Sequence, residues 1–342
     1  MKTEMLLPSY LRLLTPGELR RRAEEAADAL SPCRVCPHEC SIDRFTHAGF
    51  CKTPATPLVC SFTPHFGEEP VISGSRGSGT VFLGGCNLQC VFCQNHQISQ
   101  PGTDPLQNLA PTADDLSEIF LELQARGCHN INWVSPSHQV PQLLAALSIA
   151  AEKGLRLPIV YNSNAYDSLE MLRLLEGVVD IYLPDLKYAD EETAFRCSGI
   201  RDYPERARAA IREMFRQLGS AWDVDKQGCL RRGLLVRLLV LPNQLADIDA
   251  SLAWIASELS PEISISLMAQ YHPEHEARST DTQPLLSRSI SPGEWARALD
   301  SVEKYLRSPN SCIQDYRSAP SYYRPNFSKP EKPFADIRDF QQ

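Results

Sequence analysis

Three cysteines stand close together in the run Gly84-Gly85-Cys86-Asn87-Leu88-Gln89-Cys90-Val91-Phe92-Cys93-Gln94-Asn95. Thiolates spaced C-x3-C-x2-C on one short loop can wrap three corners of a cubane iron–sulfur cluster. A structural zinc site takes four ligands, usually as two pairs. Three thiolates therefore leave one metal position open, and an open iron can bind a substrate or a cofactor. Gly84 and Gly85 let the backbone turn tightly and approach a cluster. Phe92, just before the last cysteine, offers a ring for a flat bound group such as an adenine.

A second group, Cys33-x2-Cys36-x3-Cys40-x10-Cys51, supplies four thiols. Four can close a tetrahedral zinc site or hold a second iron–sulfur cluster, and the spacing leaves both open. The other five cysteines, Cys60, Cys128, Cys197, Cys229 and Cys312, are scattered and read as small apolar residues of the interior. Residues Met1 to Leu7 include Lys2 and Glu4 and lack the apolar core of an export signal. Clustered thiols in such a chain point to metal ligation rather than disulfides, and the expected location is cytoplasmic. No apolar run is long enough to span a bilayer, so no membrane partner is expected. The net charge of −8 argues against a nucleic-acid partner.

The elements around these residues read as follows. A helix capped by Thr15, with Pro16 in its first turn, runs to about Leu30. The Cys33–Cys51 group follows in a stretch rich in Pro, Thr and Gly. From about Gly79, short apolar strands alternate with amphipathic helices. The strands are Thr80–Leu83, Ile131–Val134, Ile159–Tyr161, Val178–Leu183, Leu234–Leu241 and Ile263–Leu267. Helices begin at the Thr112 cap, run through Leu143, Leu144 and Leu147 to Gly154, and cover Asp167–Gly177, Asp190–Cys197, Glu205–Leu218 and Ala246–Leu259. Ser291 and Pro292 start the last one, toward Tyr305.

Six strand–helix units imply a parallel sheet with right-handed connections. They are too few for a closed eight-stranded barrel. The expected fold is α/β, a partial (β/α)6 barrel with its site at the C-terminal ends of the strands. The expected organisation is a helix and cysteine-rich metal-binding segment over 1–76, the partial barrel over 77–308, and a surface-wrapping tail over 309–342.

CNLQCVFC fits the CxxxCxΦC signature, Φ aromatic, of the radical S-adenosylmethionine (SAM) superfamily. Gly77–Gln100, CRVCPHECSIDR, DIYLPDLKYAD at Asp180–Asp190 and YYRPNF at Tyr322–Phe327 resemble the pyruvate formate-lyase activating enzyme-related group, over nearly the whole chain. The resemblance implies a radical SAM barrel and a [4Fe-4S] cluster on Cys86, Cys90 and Cys93. It implies that SAM binds the open iron, is cleaved reductively, and yields a radical that takes a hydrogen atom from substrate. It also implies an electron donor such as flavodoxin or ferredoxin, and a protein partner that receives a glycyl radical.

Asp185-Leu186-Lys187 is similar to the D-x-K element of glycyl-radical activating enzymes. Two apart on an extended segment, the two charges share a face and can orient the zwitterionic end of SAM; the alternative is a surface ion pair. Ser135-Pro136-Ser137-His138 stands where radical SAM enzymes carry a GGE-type segment, which is absent here. Its polar groups are candidate substitutes, with Ser137 equally a helix cap. Asn162, Ser163 and Asn164 end the third strand and suit either the SAM ribose or carboxylate or an ordinary polar loop. Arg237, within an apolar strand, needs an acidic partner, the SAM carboxylate or an internal acid. Gln270, Tyr271 and His272 follow the sixth strand as substrate-side candidates, and His65, Glu68 and Glu69 receive no role. Radical modification of a small molecule, peptide or RNA is a competing activity. A zinc-stabilised binding module without catalysis is the reading from a different class. It accounts for Cys33–Cys51 but not for the open three-thiol loop.

Overall fold

The computed structural model describes residues 7–100, 107–318 and 324–334. Tyr322 and Tyr323, and the tail beyond residue 334, lie outside the described residues. In chain order the strands are β1 (Val59–His65), β2 (Ser78–Leu83), β3 (Ile131–Val134), β4 (Ile159–Asn162), β5 (Ile181–Tyr182), β6 (Asp223–Val224), β7 (Leu230–Leu239), β8 (Ser264–Met268) and β9 (Cys312–Ile313). The helices are α1 (Glu18–Asp28), α2 (Pro70–Ser73), α3 (His96–Ser99), α4 (Ala113–Ala125), α5 (Val140–Glu152), α6 (Leu169–Leu174), α7 (Glu191–Ser198), α8 (Tyr203–Leu218), α9 (Ile248–Glu258) and α10 (Pro292–Tyr305).

The sheet runs β1-β2-β3-β4-β5-β7-β8-β9. All neighbours from β2 to β9 pair in parallel. The six expected strands are therefore present, in sequence order. Three further strands join them. β1 pairs antiparallel with β2, so the sheet extends back before residue 77. β6 forms a hairpin with β7, and β9 extends the far edge. Residues of β2, β3, β4, β7, β8 and β9 line one cavity of about 450 Å³, so the sheet curls around it as a partial barrel.

The helices lie outside. α4 packs on α5, α5 on α1, α1 on α6, and α9 on α10. Capping boxes start α4 at Thr112 and α10 at Ser291, as their sequences require. The first helix departs from expectation: its N-cap is Gly17 at φ 70°, not Thr15, and no side chain caps it. The fourth strand is only two residues long, but its ladder bonds run on past it: Leu183 N–H donates to Tyr161 O at 3.0 Å, Arg237 N–H to Pro184 O at 2.8 Å, and Asp185 bridges Arg237 in parallel.

Two short segments close the barrel. α2 crosses its N-terminal mouth, where Ile72 packs with Val160, Ile181, Leu183, Leu230 and Leu235. Residues 324–334 lie over the β1–β2 edge. There Phe327 and Phe334 pack on Phe82 with ring centroids 5.3 and 5.5 Å away. The Ser61 hydroxyl donates to the Pro330 carbonyl oxygen.

Candidate functional site

The loop after β2 is held from every side. Gly84 N–H donates to Leu58 O and Gly85 N–H to Ile98 O, both at 2.8 Å. A Cβ on Gly85, at φ 72°, would lie 2.3 Å from the Cys51 carbonyl oxygen, and one on Gly84 would lie 2.7 Å from Leu58 Cγ. Only glycine allows this approach. The Asn87 side chain donates to Tyr166 O at 2.6 Å and accepts from Asn164 Nδ2 at 2.8 Å. Those bonds fix the turn between Cys86 and Cys90.

Each of the three thiols lines the cavity. Each also meets a hydrogen-bonding group. Cys86 Sγ accepts from Leu88 N–H at 3.4 Å and from Asn164 Nδ2 at 3.5 Å. Cys90 Sγ accepts from Ser198 Oγ at 3.1 Å, and Ser198 is bonded in turn to Tyr188 at 2.8 Å. Cys93 Sγ lies 3.2 Å from Ser99 Oγ. Burial pushes the Cys86 thiol up to about 12 and the Cys93 thiol up to about 11. A bound metal would take them as thiolates and release their protons. Three soft donors, surrounded by N–H and O–H groups that favour charge on sulfur, fit an iron–sulfur cluster.

From this loop a ladder of alternating charge crosses the cavity. Lys187 Nζ is 2.6 Å from Asp185 Oδ2, and Arg237 Nε is 2.7 Å from Asp185 Oδ1. Arg237 Nη1 lies 3.4 Å from Glu68 Oε2, and its Nη2 donates to Asn162 Oδ1 at 2.6 Å. Asn132 and Asn162 each donate to Glu68 Oε1, at 3.1 and 3.2 Å. Burial opposes every charge here, but Arg237 and Lys187 together hold the Asp185 carboxyl below its usual range. Burial likewise opposes the Lys187 ammonium, yet Asp185 and the Cys90 sulfur hold its pKa above the ordinary lysine value. For Glu68 and Glu69 burial wins and raises both carboxyls.

The sequence candidates divide between cavity and frame. Phe92 lines the cavity, edge-on to Tyr188 and Tyr271 with centroids 6.3 and 5.8 Å away. Asn162 and Asn164 also line it, both bonded to neighbours, and Gln270 and Tyr271 stand on its far wall. Ser135 reaches the cavity, whereas His138 does not. His138 is fully buried beneath the loop, its Nε2 bonded to Gly84 O at 2.9 Å. Ser137 does not cap α5, whose N-cap is Gln139. Glu68 and Glu69 are the groups to which sequence reasoning gave no place. Two adjacent acids before a Pro-initiated turn were the available signal.

Cys33, Cys36, Cys40 and Cys51 gather behind the loop. Cys36 feels the charge of the other three, and burial drives its thiol far above its usual range. Arg44, itself buried, ties this segment to the barrel by donating to His138 O at 2.7 Å and Thr53 Oγ1 at 2.6 Å. Among the described residues, His129, Asp225 and Cys229 form the trio whose donor atoms all lie within 4.8 Å of one another. They sit before β3 and β7, away from the cavity. His129 Nε2 accepts from the Arg76 backbone N–H at 3.2 Å and Nδ1 lies 3.1 Å from Arg76 Nη2, so both ring nitrogens are already engaged, one of them by a guanidinium.

Fold and site thus define an α/β protein with a cysteine-lined, charged cavity at the C-terminal mouth of a mostly parallel sheet. Residues 80–220 match the Radical SAM superfamily. The chain is 30% identical over 301 residues to the uncharacterized protein MJ0674 of Methanocaldococcus jannaschii, covering 86% of this chain and 81% of that protein. It is 24% identical over 300 residues to the uncharacterized protein MJ0808 of the same organism, covering 83% and 81%. The chain belongs to the radical SAM superfamily, which implies a [4Fe-4S] cluster and SAM as cofactors. Solved structures similar to it include methylornithine synthase (PylB), at TM-score 0.45 and 14% identity over 98% of this chain and 91% of that one. Streptococcus suis SuiB, bound to precursor peptide SuiA, has TM-score 0.42 and 14% identity over 67% of this chain; the match spans 46% of SuiB. No helix among the described residues is long and apolar enough to cross a membrane.

Proposed function

We propose that this protein is a radical SAM enzyme that abstracts a hydrogen atom from a substrate bound in the cavity. The observation that carries the reading is that the Cys86, Cys90 and Cys93 thiols share one cavity with the Lys187–Asp185–Arg237 ladder. In this reading Cys86, Cys90 and Cys93 hold the cluster. When bound, the cluster supplies the electron that cleaves SAM reductively. The chain's own residues bind and orient. Lys187 and Asp185 present opposite charges to the zwitterionic methionine end of SAM, Arg237 stands behind them, and Asn162 fixes the guanidinium. Phe92 offers its ring to the adenine. The aromatic tail packed on Phe82 helps to exclude water and stray hydrogen donors. A one-electron donor of the flavodoxin or ferredoxin kind completes the reaction, in the cytoplasm.

A glycyl radical enzyme as protein partner is the second reading, favoured by Asp185-Leu186-Lys187 and its likeness to activating enzymes. Cys33, Cys36, Cys40 and Cys51 hold a second metal, zinc or another iron–sulfur cluster, that ties the cysteine-rich segment to the barrel.

Anaerobic reconstitution with iron and sulfide, followed by reductant and SAM, tests the reading through 5′-deoxyadenosine. Product is expected from the intact protein and none from Cys90→Ala. Absence of product despite a formed cluster would overturn the enzyme reading. Metal analysis of Cys90→Ala should still find whatever Cys33–Cys51 holds; loss of both metals together would refute two separate sites.

A further inference from the structure

The segment between β1 and β2 passes beneath the cavity, and its acids form the cavity floor. α2 seals the N-terminal mouth, with Asn130 Nδ2 donating to Ile72 O at 2.9 Å. The two residues before α2, Glu68 and Glu69, therefore rise into the barrel interior and line the cavity.

The charges in that cavity do not balance. Its lining holds three carboxylic acids, Glu68, Glu69 and Asp185, but two strong cations, Lys187 and Arg237. Asp185 contacts both cations, and Glu68 takes Arg237 together with two asparagine amides. Glu69 is 9% exposed, and its Oε2 has no hydrogen-bond partner. His65, beside it, is held neutral because burial drives its pKa down to about 4. From the cysteine loop inward the order is Lys187 positive, Asp185 negative, Arg237 positive, then the carboxyls of Glu68 and Glu69, both raised by burial. Arg237 is shared among Asp185, Glu68 and Glu69, and Ser266 also bonds Glu69, yet burial still raises the Glu69 carboxyl and its Oε2 is left without a bond; one more cation after the glutamates would complete the alternation and restore that charge.

We infer that Glu69, supported by Glu68, is the recognition point for a cationic group of the substrate, an amine or guanidinium. This rests on the reading of the cavity as the reaction site. The substrate class is then an amino- or guanidino-bearing small molecule or side chain, entered with its charged end toward the floor. Its carbon chain is left nearer the Cys86–Cys93 loop, where a hydrogen atom would be taken. SAM is itself cationic, so the experiment must separate it from the substrate.

The probes are n-butylammonium and n-butylguanidinium, with n-butanol and butyrate as uncharged and anionic counterparts. Each is titrated calorimetrically into reconstituted protein saturated with SAM. The cations should bind with dissociation constants of roughly 1–10 mM, within reach of so few non-hydrogen atoms. The counterparts should bind at least about tenfold more weakly, and Glu69→Gln should weaken the cations by a similar factor, the cost of one lost charge-assisted bond. The control Glu24→Gln, on the exposed face of α1, should change nothing. If Glu69→Gln fails to fold, Glu69→Asp keeps the charge but withdraws it, and should weaken the cations while preserving their preference over n-butanol. Equal binding of n-butylammonium and n-butanol, or undiminished cation binding in both Glu69 variants, would overturn the inference. So would a Glu69→Gln variant that loses affinity for SAM and not for the amines. Formation of 5′-deoxyadenosine is read separately. Its absence with cation binding intact sinks the radical SAM reading alone, while its presence without cation selectivity sinks this inference alone.

Discussion

His38 Nε2 donates to the Asn87 carbonyl oxygen across 2.9 Å, joining the Cys33–Cys51 segment to the Cys86–Cys93 loop. The imidazole is stacked on Phe50 at 3.9 Å and meets the edge of Tyr166 at 5.3 Å. Asn87 lies between Cys86 and Cys90, so movement of His38 moves the loop that carries both.

His38→Ala should therefore cost about 2 kcal/mol of stability, the sum of one hydrogen bond and one ring contact. It should also speed the loss of iron from reconstituted protein to a chelator. Urea unfolding and timed iron release check both. A variant with the parental unfolding midpoint and release rate would show that the two cysteine groups are not mechanically linked.

Ser198→Ala removes the hydroxyl that donates to Cys90 Sγ at 3.1 Å. Hydrogen bonds to the sulfurs of a cluster stabilise its reduced, more negative state and so raise its potential. Loss of a bond worth about 1 kcal/mol should lower the potential by roughly 40 mV for one electron. A redox titration followed by electron paramagnetic resonance measures this. An unchanged potential would mean that Cys90 does not carry the cluster, or that Tyr188 takes over the bond.

Asp185→Asn should destabilise the protein by about 3 kcal/mol, because Lys187 and Arg237 lose their shared counter-charge in a largely buried place. Lys187→Met should cost less, about 1 kcal/mol, since Asp185 keeps Arg237. Denaturant midpoints of the two variants give the order. The reverse order would place the balancing charge on Lys187 instead.

The barrel was legible because its six parallel strands are buried runs separated by helix periods, and Thr112 and Ser291 announce their helices chemically. β1 was not. Its Pro64 lacks a ladder donor, a bulge interrupts its register between Val59 and Ser61, and it lies among the cysteines of the first segment. β9 is two residues long, too short for any period. Position at a strand's end was also readable, but the direction of each side chain was not. Asn164 and His138 are equally polar residues near strand ends. One lines the cavity and bonds Asn87, and the other is turned under Gly84. Glu68 and Glu69 escaped assignment because only the passage of α2 beneath the barrel brings them to Arg237.

His138 sets a pH dependence whose sign follows from its burial. Burial lowers its pKa from 6.5 to about 4, with the bond to Gly84 O working weakly against that and Arg44 adding to it. In the unfolded chain the ring regains its ordinary value, so between these two pKa values the unfolded state binds the extra proton. The stabilisation is thus complete above pH 6.5 and is lost as pH falls toward 4. Lowering the pH from about 7.5 to about 5 should cost roughly 2 kcal/mol through this residue alone. Other buried groups titrate in the same range, among them His65, lowered to about 4, and Asp180, raised to about 6. The measurement is therefore a difference. His138→Gln keeps a donor for Gly84 O and cannot titrate, so its stability, followed by urea unfolding, should fall less steeply with acid than that of the parent. Parallel curves would mean that the imidazole keeps its unfolded pKa in the folded protein, so that burial beneath the Cys86 loop does not hold it neutral.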